Sequence, residues 1–186
     1  MTNTQLVLLI VTIAAVAAAI VILLNTQRRK RLKAKFGPEY SRAIQESGSA
    51  ARAEERLVQR EKRVQQFNVH PLEPSERRDF VEAWRLVQAK FVDDPKAAVV
   101  DGDRLLGEIM KVRGYPLSDF EQQSSDLSVN HPVVVEHYRA GHDIALRHSQ
   151  GRASTEDLRQ AMIHYRKLFD DLVEEPQVAR AQAAGG

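Results

Sequence analysis

LVLLIVTIAAVAAAIVILL, residues Leu6 to Leu24, is the stretch on which the reading turns. Thr12 is its one residue that is not apolar, and a threonine hydroxyl in a helix can bond back to a carbonyl one turn earlier. Nineteen residues at a rise of about 1.5 Å make a helix of about 28 Å, close to the roughly 30 Å hydrocarbon thickness of a bilayer. A lone segment in lipid must satisfy its backbone internally, which predicts a helix. A buried core helix would keep a polar face, and this run has none. A cleaved signal peptide is the rival reading. It calls for a basic start, a shorter apolar run and small residues at the polar end. Here MTNTQ carries no charged side chain, and Ala14 to Ala19 lie inside the run.

Outward from that segment, residues 1 to 27 contain no Asp, Glu, Lys or Arg, and six cations then crowd together: Arg28, Arg29, Lys30, Arg31, Lys33 and Lys35. The positive-inside rule places this basic patch in the cytoplasm and the N-terminus outside. The patch would face anionic lipid headgroups at about 1 kcal/mol per cation. The chain carries 27 basic and 25 acidic residues in all; the six aside, 21 basic residues face 25 acidic ones. The basic pI therefore belongs to one short segment, and the rest is mildly acidic, which argues against nucleic acid as a partner. The expected partners are the lipid bilayer and an unidentified protein. Ala14/Ala18 and Ala15/Ala19 have the small-residue spacing that lets helices approach, so a weak homodimer is a further expectation.

The chain divides, on this reading, into a transmembrane segment (1–27, span 6–24), the basic patch (28–35), a charged helical stalk and linker (36–74), a helical bundle (75–175) and a disordered tail (176–186). Phe36-Gly37-Pro38 breaks the first helix. In the stalk Ala43, Ala50, Leu57 and Val64 recur every seven residues, but the matching seam is Ser47, Glu54 and Glu61. A stable coiled coil wants both seams apolar, so the stalk is expected to pair weakly or to stand as an exposed single helix. NVHPLEP, Asn68 to Pro74, reads as a linker.

About five helices follow. Ser75 is the expected cap of the first, to about Val92, with Phe80, Trp84, Val87 and Phe91 on one face. Asp93-Asp94-Pro95 opens the second, with proline at its first position, and its stripe runs from Ala98 through Gly102, Leu105 and Ile109 to Val112. There Ala98 and Gly102 would admit a close backbone. Gly114 and Pro116 stop it. Ser118 opens a short third helix, and Asn130-His131-Pro132 a fourth to about Ser149. Ser154 and Asp157 form a capping box for the fifth, which Pro176 ends. The predicted fold is all-α: one transmembrane helix, a charged stalk and a small bundle.

Chemistry is sparse. The chain has no cysteine, which excludes disulfides, thiolate zinc sites and a cysteine nucleophile. His131, His137, His142 and His148 are spaced by 6, 5 and 6 residues, whereas a helical chelating pair needs two ligands on one face. They are read as surface or capping residues, with no metal and no cofactor expected. Asp101 and Asp103 flank Gly102 but lack the rest of a calcium loop, and are read as a solvated face. Asp170, Asp171, Glu174 and Glu175 oppose the dipole at a helix C-terminus, a weak hint of a partner. No P-loop, dinucleotide fingerprint or nucleophile elbow is present, so no catalytic residue is assigned. A groove along Phe80, Trp84 and Phe91 is the candidate ligand surface, set against the commoner core stripe.

FVDDP (Phe91 to Pro95), RGYP (Arg113 to Pro116), DFEQ (Asp119 to Gln122), DLSVNHP (Asp126 to Pro132) and TEDLRQAMIHYRKLF (Thr155 to Phe169) resemble a bacterial family with an apolar N-terminus, a charged linker and a helical C-terminal domain. The resemblance covers about the last 100 residues. It implies a bacterial source and an inner-membrane or secreted setting, and carries over no activity. The expectation is thus an anchored interaction module on the cytoplasmic face of a bacterial membrane. The alternatives are a small-molecule or lipid-binding domain, or an exported domain with a cleaved signal.

Overall fold

The computed structural model describes residues 3–116 and 118–174. The expected tail, 176–186, lies outside the described residues. The described chain is all-helical, with eight helices in order: α1 Asn3–Phe36, α2 Pro38–Ser47, α3 Ala50–Val64, α4 Pro74–Asp93, α5 Pro95–Val112, α6 Phe120–Leu127, α7 Val135–Ser149 and α8 Thr155–Val173. They fall into two compact units, Met1–Val58 and Gln59–Gly186. The division lies inside α3, not in the 68–74 stretch where the sequence suggested a linker.

In the first unit, α1 runs without interruption through the apolar stretch and the basic patch. Its stretch Ile10–Phe36 is long and apolar enough to cross a membrane, which is compatible with an anchor or a signal sequence. The Thr12 hydroxyl donates to the Leu8 carbonyl at 3.0 Å, as its setting required. Gly37, at φ 48, ends α1, and Pro38 begins α2. The stretch after it is not one exposed rod. A second break at Gly48 separates α2 from α3. Leu32, Phe36, Tyr40, Ala43, Ala53 and Leu57 are all buried. The seven-residue pattern does mark buried positions: Ala43, Ser47, Glu54 and Leu57 in the first unit, Glu61 and Val64 in the second. A single chain therefore uses that stripe, and Glu54 within it is bonded rather than solvated.

The second unit holds the bundle, whose five helices match the number expected. The α4 cap is Glu73 rather than Ser75. Pro74 takes the first helical position, and the Glu73 backbone N–H donates to the Glu76 carboxylate at 2.9 Å. Asp94 caps α5 by accepting from Ala97 N–H at 3.0 Å, with Pro95 next, as predicted. Asp119, not Ser118, caps α6. Pro132 to Val134 form a turn, and α7 starts only at Val135. The Ser154/Asp157 capping box opens α8, which ends at Val173, before Pro176.

α8 lies against α7 and α5, and α4 pairs with α5. Trp84 of α4 is 1% exposed and stacks on Phe169 of α8, with ring centroids 4.8 Å apart. The expected linker is a strap on this bundle. Leu72 belongs to the core, and Phe67 and Val69 pack against it. His70 N–H donates to the Arg113 carbonyl at 3.0 Å. At Gly114, φ is 91, and a Cβ would lie 2.2 Å from the Asn68 carbonyl oxygen. Only glycine meets both conditions. Apolar residues in the strap explain the difference from a free linker, since burying them outweighs leaving the segment extended.

Candidate functional site

The basic patch divides by use. Helical geometry sets Leu32 and Phe36 on one face of α1, and both are fully buried. Arg29, beside that face, donates from Nε to Glu54 of α3 at 2.9 Å. Tyr40 of α2 donates its hydroxyl to the same carboxylate oxygen at 2.8 Å. Three helices of the first unit thus meet on one carboxylate. Burial, then the hydrogen bond to Glu54, pushes the Tyr40 hydroxyl pKa up, so it stays a donor. Arg31 and Lys35 are engaged as well, while Arg28, Lys30 and Lys33 are exposed. The sequence read six equivalent cations; part of that segment is an internal packing surface.

The expected groove does not form as proposed. Trp84 is core, and Phe80 is half-buried against that core. Phe91 alone of the three lines an open cleft, of about 280 Å³, between α4 and α8. Met162 and Ile163 give it apolar walls, and Arg159, Arg166 and Lys167 stand around it. Arg166 donates to Asp170 at 2.6 Å and to Gln88 at 3.4 Å across the cleft, and Arg159 is held by Glu156.

The histidines are not plain surface residues. Three of the four face a group on another helix. His131 is buried and hydrogen-bonded through Nδ1 to Asp171 of α8. His142 stacks on Phe120 of α6 at 3.6 Å between centroids, with Nδ1 3.8 Å from Asp103 of α5. His137 meets His164 of α8, Nδ1 to Nδ1, at 3.0 Å. Burial, and then the charge of His137, lower the pKa of His164. His164 escaped the sequence reading because it stands 27 residues from its partner, beyond the reach of any spacing rule. Among the described residues no group of three or more His, Asp or Glu side chains is placed to hold a metal ion together.

The pair Asp101/Asp103 is half-exposed, and both carboxylates are engaged there. Asp101 takes Lys90 at 2.7 Å and Arg104 at 2.8 Å; the Lys90 hydrogen bond leads in lowering its pKa. Asp103 accepts the Tyr165 hydroxyl at 2.9 Å. Burial first, then the Asp103 charge, drives the hydroxyls of Tyr138 and Tyr165 well above their ordinary range. The acidic end of α8 is also answered internally: Asp170 by Arg166, Asp171 by His131. Arg113, 1% exposed, donates from its guanidinium to the Leu172 carbonyl at 3.1 Å. A cation on a last-turn carbonyl offsets the dipole; Glu174 is exposed, and Glu175 lies outside the described residues.

No family model, curated protein or solved structure matches the chain.

Proposed function

We propose that this protein is a membrane-anchored helical interaction module, spanning a bacterial inner membrane once and holding its bundle at the cytoplasmic face for a protein partner. One observation carries the reading: between Leu8 and Leu24 the described apolar side chains of α1 are exposed all round, and the helix then runs into six cations. Apolar surface of that extent has no stable place in water, and the cations set the direction. An anchor confines the bundle to two dimensions, which raises its effective concentration toward other membrane-held partners. The groups that could have formed a reactive centre, His131 and Asp103 among them, are engaged with neighbouring helices, which favours binding over catalysis.

Reporter fusions at the C-terminus test it, one active only inside and one only outside, with the mass of the membrane-extracted protein. Internal signal and full-length mass are expected. External signal with a shortened N-terminus would replace the reading with an exported domain. A second reading, a lipid or small amphipathic ligand, is favoured by the cleft at Phe91, whose apolar walls and basic rim suit an anionic head on an apolar body. A ligand there would shift the thermal midpoint of wild type but not of Ile163→Arg.

A further inference from the structure

We propose that His137 and His164 form a two-histidine site for a divalent transition-metal ion, Cu2+ foremost, that pins α7 to α8. The two Nδ1 atoms are 3.0 Å apart, their rings tilted by 33° with centroids at 5.2 Å. Two nitrogens each about 2.0 Å from one ion lie about 2.8 Å apart across a 90° edge, and about 3.3 Å apart across a tetrahedral one. The observed separation lies between these two, within the span that lets both nitrogens hold one ion. The general affinity order then favours Cu2+ over zinc.

Both side chains are half-exposed, so water can reach the ion and fill its remaining positions. Ligation needs neutral imidazoles. The pair joins two helices that pack closely along their length, so metal bound there clamps an interface that already exists. A plain imidazole–imidazole hydrogen bond is the alternative occupant of the same geometry.

The experiment uses the tag-free full chain in detergent, stripped with chelator, and titrated with Cu2+, Ni2+ and Zn2+ by calorimetry and thermal melts. One equivalent of Cu2+ is expected to bind and raise the melting midpoint, with Zn2+ at least about tenfold weaker. His137→Gln and His164→Gln should each lose at least about tenfold in affinity, while His148→Gln on the same helix keeps it. Electron paramagnetic resonance of the Cu2+ adduct should show two equatorial nitrogens, a readout that needs no variant to fold. No saturable binding at millimolar metal, equal binding by His164→Gln, or a Cu2+ spectrum without nitrogen ligands overturns the proposal. Zinc binding as tightly as copper overturns the assignment to copper.

Discussion

α1 and α8 are both long helices rich in apolar residues, and they solve opposite problems. In α1 the large apolar side chains described between Leu8 and Leu24 are 51% to 64% exposed. In α8, Leu158, Ala161, Met162, Tyr165, Leu168, Phe169, Leu172 and Val173 are all buried, while the opposite face carries charge. An apolar helix with no polar face has to find its environment outside the protein. A striped helix finds it inside, from its neighbours. One is expected to depend on lipid and the other on packing, and substitutions can separate the two dependences.

The largest effect should come from Trp84→Ala, which removes the ring stacked on Phe169 and leaves a void among α4, α5 and α8. A buried aromatic cut to alanine costs about 3–5 kcal/mol. Chemical denaturation of the bundle should show that loss, while the membrane-bound fraction stays unchanged. Val16→Arg is the reciprocal experiment. An arginine at the centre of an apolar span costs about 2.5–3.5 kcal/mol in insertion. Fractionation should move the protein out of membranes, and the bundle should melt at its original midpoint. If Val16→Arg unfolds the bundle as well, the two dependences are not separate.

Two glycines sharpen the packing side. A Cβ at Gly141 of α7 would lie 2.4 Å from the Tyr165 ring. That ring cannot retreat, because Gly102 of α5 flanks it with Met162 and its hydroxyl is held by Asp103. Gly141→Ala should therefore destabilise by about 1–3 kcal/mol through overpacking. At Gly107 of α5 an added methyl would meet nothing within 4 Å. Gly107→Ala should stabilise by up to about 1 kcal/mol through helix propensity. A Gly141→Ala variant that melts no lower than wild type would show that the α7–α8 approach is not the tight one.

These contrasts also separate what local chemistry could reveal from what it could not. The Asp94/Pro95 start, the Gly114 stop and the Ser154/Asp157 capping box are set by groups within three or four residues, and the sequence placed them correctly. Ser75 and Ser118 failed as caps because a better-placed neighbour, Glu73 or Asp119, took the role. Gly102 was legible as a site of close approach, but what approaches it is the Tyr165 ring rather than a backbone. The sequence could not show that RRKRLKAKF hides Leu32 and Phe36 as packing residues, since a basic run masks them. Nor could it pair His131 with Asp171 or His137 with His164. Those contacts depend on helix packing across 40 and 27 residues. Trp84 was offered to a ligand because a stripe looks alike whether it faces a groove or a core.

The smallest effect is one of pH, and its sign follows from the His137–His164 pair. The folded state lowers the pKa of His164 through burial and through its neighbour. Between that lowered value and the unfolded value near 6.5 the unfolded chain binds more protons, so stability rises with pH across the window. The contribution is complete above about pH 6.5 and is lost as pH falls below it. Denaturation of wild type and His164→Gln between pH 5 and 8 isolates this effect. Wild type should lose more stability than the variant on acidification, and parallel curves would assign the α7–α8 pair no part in it.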